Sequence, residues 1–199
     1  MSLRAVVVSL LVFMANGAPA AEPPLHDAFN VAIKTLGELR EHFSTIVEDP
    51  AGRAEAVRAL PKLSGRLDSL VRAKLTLTET LVNAKWPQDR NKIAAAAEAL
   101  KDQLHKSRYA LTDVFAPLPP VWQTRGGDLQ ATLDWVTHGK WQSLDDVARD
   151  LGADGTSPDQ LRAESDAFVA LVRQLKEIAD GIVTDLAKPE SGPAAPSAL

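Results

Sequence analysis

The chain has 199 residues, with 22 Lys and Arg against 26 Asp and Glu, a formal charge of −4, and no cysteine. A chain without cysteine has no disulfide framework, no thiolate metal site, no c-type haem attachment and no lipidated N-terminal Cys. The acidic balance argues against bulk nucleic-acid binding, and the absence of alternating β-branched runs after residue 20 points to an all-α fold.

Residues 1–20 read as a secretory signal peptide. Arg4 is the charged start, residues 5–15 are apolar apart from Ser9, and Ala18-Pro19-Ala20 places small residues before a cut, so that Ala21 opens the mature chain. The apolar run is well short of the ~20 residues that span a bilayer, so no transmembrane segment is expected after cleavage. The expected location is the periplasm or the cell exterior. The remaining length suits one helical domain over residues 21–187.

Within residues 25–47, Phe29, Ile33, Leu36, Leu39, Phe43 and Ile46 recur every three or four positions, which places them on one stripe of a first helix. Asp49-Pro50 reads as an N-cap followed by Pro at the first helical position. A second helix carries Val57, Leu60, Leu63, Leu67, Leu70, Leu77 and Leu81 and runs to about Lys85, with Pro61 expected to kink or split it. After the turn at Trp86-Pro87, a third helix is marked by Ile93, Ala97, Leu100, Leu104, Leu111 and Val114, and Pro117, Pro119 and Pro120 end it.

Residues 121–156 are the least regular part. They hold Gly126-Gly127, a short amphipathic piece around Leu129, Leu133 and Val136, and another over residues 144–151 that Ser143 or Asp146 would cap. The last long helix has a full start signal in Ser157, Pro158 and Gln160, then Leu161, Phe168, Leu171, Leu175, Ile178, Ile182 and Leu186. Residues 188–199 (KPESGPAAPSAL) read as a disordered tail. The expected architecture is an elongated four-helix bundle with a short-helix crossover between its third and fourth long members. A long helical hairpin assembly or a dimer has the same periodicity, as a coiled coil does.

Two constellations stand out as candidate sites. Trp122, Arg125, Trp135, His138 and Trp141 concentrate polar and aromatic groups in the crossover, a composition that could stack on an aromatic ligand, a partner helix or a cell-wall sugar, although the simpler reading is that these rings pin the segment onto the end of the bundle. The second follows from charge. Residues 53–92 carry nine basic and four acidic residues, residues 128–190 thirteen acidic and six basic, and Arg58, Lys62 and Arg66 repeat at i, i+4 as a basic stripe. Either the acidic last helix pairs with this stripe or the stripe faces an acidic partner or lipid phosphates.

Other chemistries find little footing. Glu38 with His42 and Asp102 with His105 have the spacing of helical ligand pairs but lie off the apolar stripes, so no metal and no cofactor is assigned. The mature chain has no Met, which leaves histidine alone to ligate a haem. The stretch DLGADGTSPDQL at residues 150–161 has Gly and Leu where a calcium loop needs ligands. No nucleophile elbow, phosphate loop or His-Glu-x-x-His motif occurs. The function expected is therefore a non-enzymatic binding or adaptor protein of the cell envelope, engaging an envelope protein or cell-wall component. The alternative is a small-molecule or haem carrier that uses the bundle interior.

Overall fold

The structure is a computed structural model that describes residues 24–46, 49–85, 88–139 and 157–187. The signal-peptide reading of residues 1–20, the capped piece at residues 143–151 and the tail at residues 188–199 lie outside the described residues. Five α-helices and no strand occur among the described residues: α1 (Pro24–Ile46), α2 (Pro50–Asn83), α3 (Arg90–Phe115), α4 (Pro120–Gly139) and α5 (Pro158–Ala187).

The helix starts follow the sequence signals closely. Asp49 accepts hydrogen bonds from the amides of Ala51 and Gly52, both at 3.1 Å, with Pro50 at the first helical position. Ser157 and Gln160 form a reciprocal capping box. The Ser157 amide donates to Gln160 Oε1 at 2.9 Å, and the Gln160 amide donates to Ser157 Oγ at 3.2 Å.

Two expectations need correction. Of the two outcomes expected of Pro61, a kink or a split, the split does not occur: the second helix runs unbroken through 34 residues, roughly 50 Å. An interior Pro costs a helix about 3 kcal/mol, whereas burying one Leu returns roughly 1.5–3 kcal/mol. Leu60, Leu63, Leu67 and Leu70 are all wholly buried around the site, so packing outweighs the proline. The second correction concerns residues 120–139, expected to be irregular but forming a 20-residue helix that passes straight through Gly126-Gly127.

Packing contacts join the helices in a closed circuit: α1 against α5, α5 against α2, α2 against α3, α3 against α4, and α4 back against α1. One hydrophobic core runs through it. Phe29 meets Phe168 edge-on at 5.2 Å between ring centroids, and Leu36, Leu39, Leu100, Leu104, Leu175 and Ile182 continue it. The predicted stripes supply most of this core, with Ile33, Val57, Leu81, Leu171, Ile178 and Leu186 half-buried at its edges.

Candidate functional site

Of the aromatic crossover residues, Trp122 and Arg125 have described side chains, and both serve to dock α4. Trp122 is buried, its ring stacked on Phe115 at 6.4 Å between centroids. The Arg125 guanidinium lies 4.5 Å from the centre of the Trp122 ring and donates to the Glu38 carboxylate on α1. This clasp links α3, α4 and α1. Trp135 and His138 belong to α4, but their side chains lie outside the described set, as does Trp141 altogether. The structure thus brings Trp122 and Arg125 together as packing and says nothing of the other three.

Gly126 explains why this helix sits where it does. A Cβ there would stand 2.5 Å from the Cβ of Phe115, so only a bare α-carbon lets α4 approach α3 this closely. Beyond the helix end, Gln123 Nε2 donates to the carbonyls of Ala116 and Leu118 at 3.1 and 2.9 Å, satisfying backbone acceptors freed where α3 stops.

The basic stripe is exposed at all three positions, Arg58, Lys62 and Arg66. Charge does link α2 with α5, in the reverse sense to that expected: acids on α2 meet bases on α5, Asp68 with Lys176 at 4.0 Å and Glu79 with Arg162 at 3.6 Å. Among the described residues no ion pair uses Arg58, Lys62 or Arg66. The like-charge repulsion along the stripe therefore stands uncompensated by α5.

Lys62 and Arg66 open instead onto a groove of about 470 Å³ between α2 and α3. From α2, Pro61 and Gly65 form the rest of that wall, and Lys106, Tyr109, Ala110 and Asp113 form the other. The residues of each helix recur at the spacing of a single face, so the groove follows directly from the packing of one helix on the other. Tyr109, 49% exposed, projects from α3 with the buried Arg108 guanidinium 4.5 Å from its ring centre and the His105 ring edge-on at 4.8 Å. Lys106 is held by Asp102 one turn back. The lining carries three cations and one carboxylate.

A buried lysine went unnoticed in the residue pattern. Lys74 on α2 is only 6% exposed, with its ammonium 5.8 Å from the centre of the Phe168 ring. Burial pushes its pKa below the ordinary lysine value, and the carboxylate of Glu164 partly opposes that shift. Nearby, Thr78 Oγ1 lies 2.9 Å from Ser165 Oγ and 3.0 Å from the Lys74 carbonyl, forming a small polar layer across the α2–α5 contact. The signal was present: the spacing Leu60, Leu63, Leu67, Leu70, Leu77, Leu81 omits one apolar position, and residue 74 occupies it.

The pairs with metal-ligand spacing are otherwise engaged. Glu38 holds Arg125, Asp102 holds Lys106, and His105 packs on Tyr109, while His42 is exposed. No cluster of three or more His, Cys, Asp or Glu able to hold a metal occurs among the described residues, and no described helix is long and apolar enough to cross a membrane. No protein-family model, no curated protein and no solved structure matches the chain.

Proposed function

We propose that this chain is an exported, non-enzymatic binding protein of the cell envelope. On this reading residues 1–20 direct export, α1, α2, α3 and α5 are the long members of an elongated four-helix bundle, and the stretch bearing α4 forms the connection that crosses from α3 to α5. The observation that carries it is the solvent-open cationic groove between α2 and α3, on a chain whose overall charge is negative. A two-helix wall on which Lys62 and Arg66 have no ion-pair partner among the described residues is suited to recognition of an anionic group.

Within the tryptophan-rich crossover, Trp122 contributes chiefly by holding α4 to α3, since its ring is committed to Phe115 and Arg125. The carrier alternative draws less support. Leu36, Leu39, Leu63, Leu67, Leu70 and Leu175 have no solvent exposure and occupy the centre with side chains.

The test has two parts. The mature protein recovered from the expressing cell is expected to start at residue 21 and to fractionate outside the cytoplasm. It is expected to retain an envelope component that an Arg58→Gln, Lys62→Gln, Arg66→Gln variant of equal helicity releases. Uncleaved protein in the cytoplasm, or equal capture by both forms, would overturn the proposal.

A further inference from the structure

The α2 side of the groove departs from good helix design at four neighbouring positions. Pro61 removes a backbone donor in mid-helix, leaving the Val57 carbonyl without its usual i+4 partner. Gly65, one turn on, has the highest backbone-entropy penalty of any ordinary residue, and no packing demands it: nothing lies within 4 Å of a Cβ built there. Lys62 and Arg66 then place like charges one turn apart, where they repel. All four line the same groove. Local choices that weaken a helix without a packing reason collect where function outweighs stability.

Each departure has a consequence for what enters. Gly65 leaves the floor without a side chain, so a ligand can approach the backbone of α2. Arg66 offers a planar fork that matches two oxygens of one anion, Lys62 adds a mobile point charge beside it, and Lys106, held in place by Asp102, turns its remaining N–H donors in from the opposite wall. Tyr109 stands beside them with a half-exposed ring, buttressed by Arg108 and His105, and a phenol hydroxyl that donates. Asp113 adds one negative charge to the lining and Asp102 pairs Lys106, so Arg66 and Lys62 carry the charge left for an anion.

We infer that this groove binds an organic phosphate, a phosphomonoester whose nearly dianionic head lies between Lys62, Arg66 and Lys106 and whose organic part rests along Tyr109. A phosphate monoester carries about 1.5 to 2 negative charges at neutral pH and three acceptor oxygens, which meets a fork plus two ammonium groups more completely than a single carboxylate. The groove volume lies within the range of small-ligand sites, roughly 300–1,000 Å³. The inference rests on the groove being the binding face proposed above. A soluble phosphate ester and a phosphomonoester lipid headgroup share this chemistry, and the experiment separates them.

Calorimetric titration of the mature chain with glycerol 3-phosphate, beside glycerol and malonate, tests the soluble form; co-sedimentation with vesicles of phosphatidic acid in phosphatidylcholine, beside phosphatidylcholine alone, tests the headgroup. Binding of either phosphate probe is expected to fall roughly tenfold or more in Lys62→Gln, Arg66→Gln. It is also expected to be lost in Gly65→Phe, which fills the groove without changing charge, with circular dichroism confirming both folds. Binding to glycerol 3-phosphate assigns a soluble ligand, and binding to phosphatidic acid vesicles alone assigns a headgroup. Malonate binding as tightly as the phosphate, or no binding to either phosphate probe, overturns the inference. In that event, envelope capture still abolished by the groove substitutions leaves the binding-face reading intact, and capture insensitive to them removes both.

Discussion

Phe115 packs against the bare α-carbon of Gly126, and a methyl group at residue 126 would stand 2.5 Å from the Phe115 Cβ. The neighbouring Gly127 has open space in the same construction. Two adjacent glycines on one helix are therefore expected to respond oppositely to the same change. Gly126→Ala forces α4 away from α3 and should destabilise the protein by about 1–3 kcal/mol, the usual range for overpacking. Gly127→Ala relieves backbone entropy and should stabilise by up to about 1 kcal/mol. Urea melts of both variants check this, and equal effects of either sign would disprove the close approach.

The same contact assigns a structural part to Trp122. Truncation of a buried indole that stacks on Phe115 and carries Arg125 on its other contacts should cost about 3–5 kcal/mol in Trp122→Ala. A surface binding residue would cost less than about 0.5 kcal/mol. Denaturant midpoints for Trp122→Ala separate the two roles without any ligand in hand.

The long amphipathic helices were legible because apolar residues at three- and four-residue spacing have one way to leave water, and α1, α2, α3 and α5 each show that spacing over many turns. Ser157 with Gln160 and Asp49 with Pro50 were legible because capping is local chemistry. Helix α4 was not. Its interior holds Gly126-Gly127, which normally signals a turn, and what keeps it helical is tertiary: the Phe115 contact, the Trp122 stack and the Arg125–Glu38 pair, all made with other helices. Pro61 failed as a breaker for a similar reason, since the leucines around it are buried. The basic stripe was visible as a charge pattern, but the groove needs the far wall from Lys106 to Asp113, and which helix would face α2 is a matter of packing that no single segment encodes. Lys74 was hidden by its own regularity, a single cation in a leucine series.

Leu175→Ala probes the register of α5 directly, because Leu175 has no exposure and belongs to the core. A loss of about 2–5 kcal/mol is expected. Lys176, next in the chain, is partly exposed and paired with Asp180 at 2.6 Å, so Lys176→Ala should cost no more than about 1 kcal/mol. Chemical denaturation of the two neighbours gives the comparison, and similar losses would contradict the register.

Lys74 predicts a particular pH dependence. Its pKa is lowered in the fold by burial, against the pull of Glu164, so the unfolded chain holds the Lys74 proton to a higher pH than the folded one does. Between the folded value and the ordinary value the unfolded state binds more protons, and stability therefore rises with pH in that window. Below the folded value both states are protonated and the penalty of burying the ammonium is fully present. Lys74→Met, close in volume and uncharged, should raise stability near neutrality by about 1 kcal/mol or more and flatten the rise at alkaline pH. Measurement from pH 8 to pH 10.5 on both proteins leaves every other titrating group in common, so a difference in slope between the two reports Lys74. Parallel slopes would show that the ammonium remains as well solvated as in water.

The groove makes the opposite kind of prediction, that its own residues weaken the fold. Gly65→Ala meets nothing within 4 Å and should stabilise α2 by about 0.5–1 kcal/mol. Lys62→Gln removes repulsion toward both Arg58 and Arg66, roughly 0.2–0.5 kcal/mol for each pair at low salt, and that gain should shrink as ionic strength rises. Pro61→Ala restores a backbone donor on an exposed face and should gain up to about 3 kcal/mol. Because Pro61, Lys62 and Gly65 are near neighbours on α2, the triple variant need not show the sum, and its coupling is itself informative. Thermal melts at two salt concentrations decide the matter. A triple variant that melts higher shows that the groove face is held in a less stable form than the helix could reach, whereas one that melts lower would mean that these residues support α2 in a way its packing does not reveal.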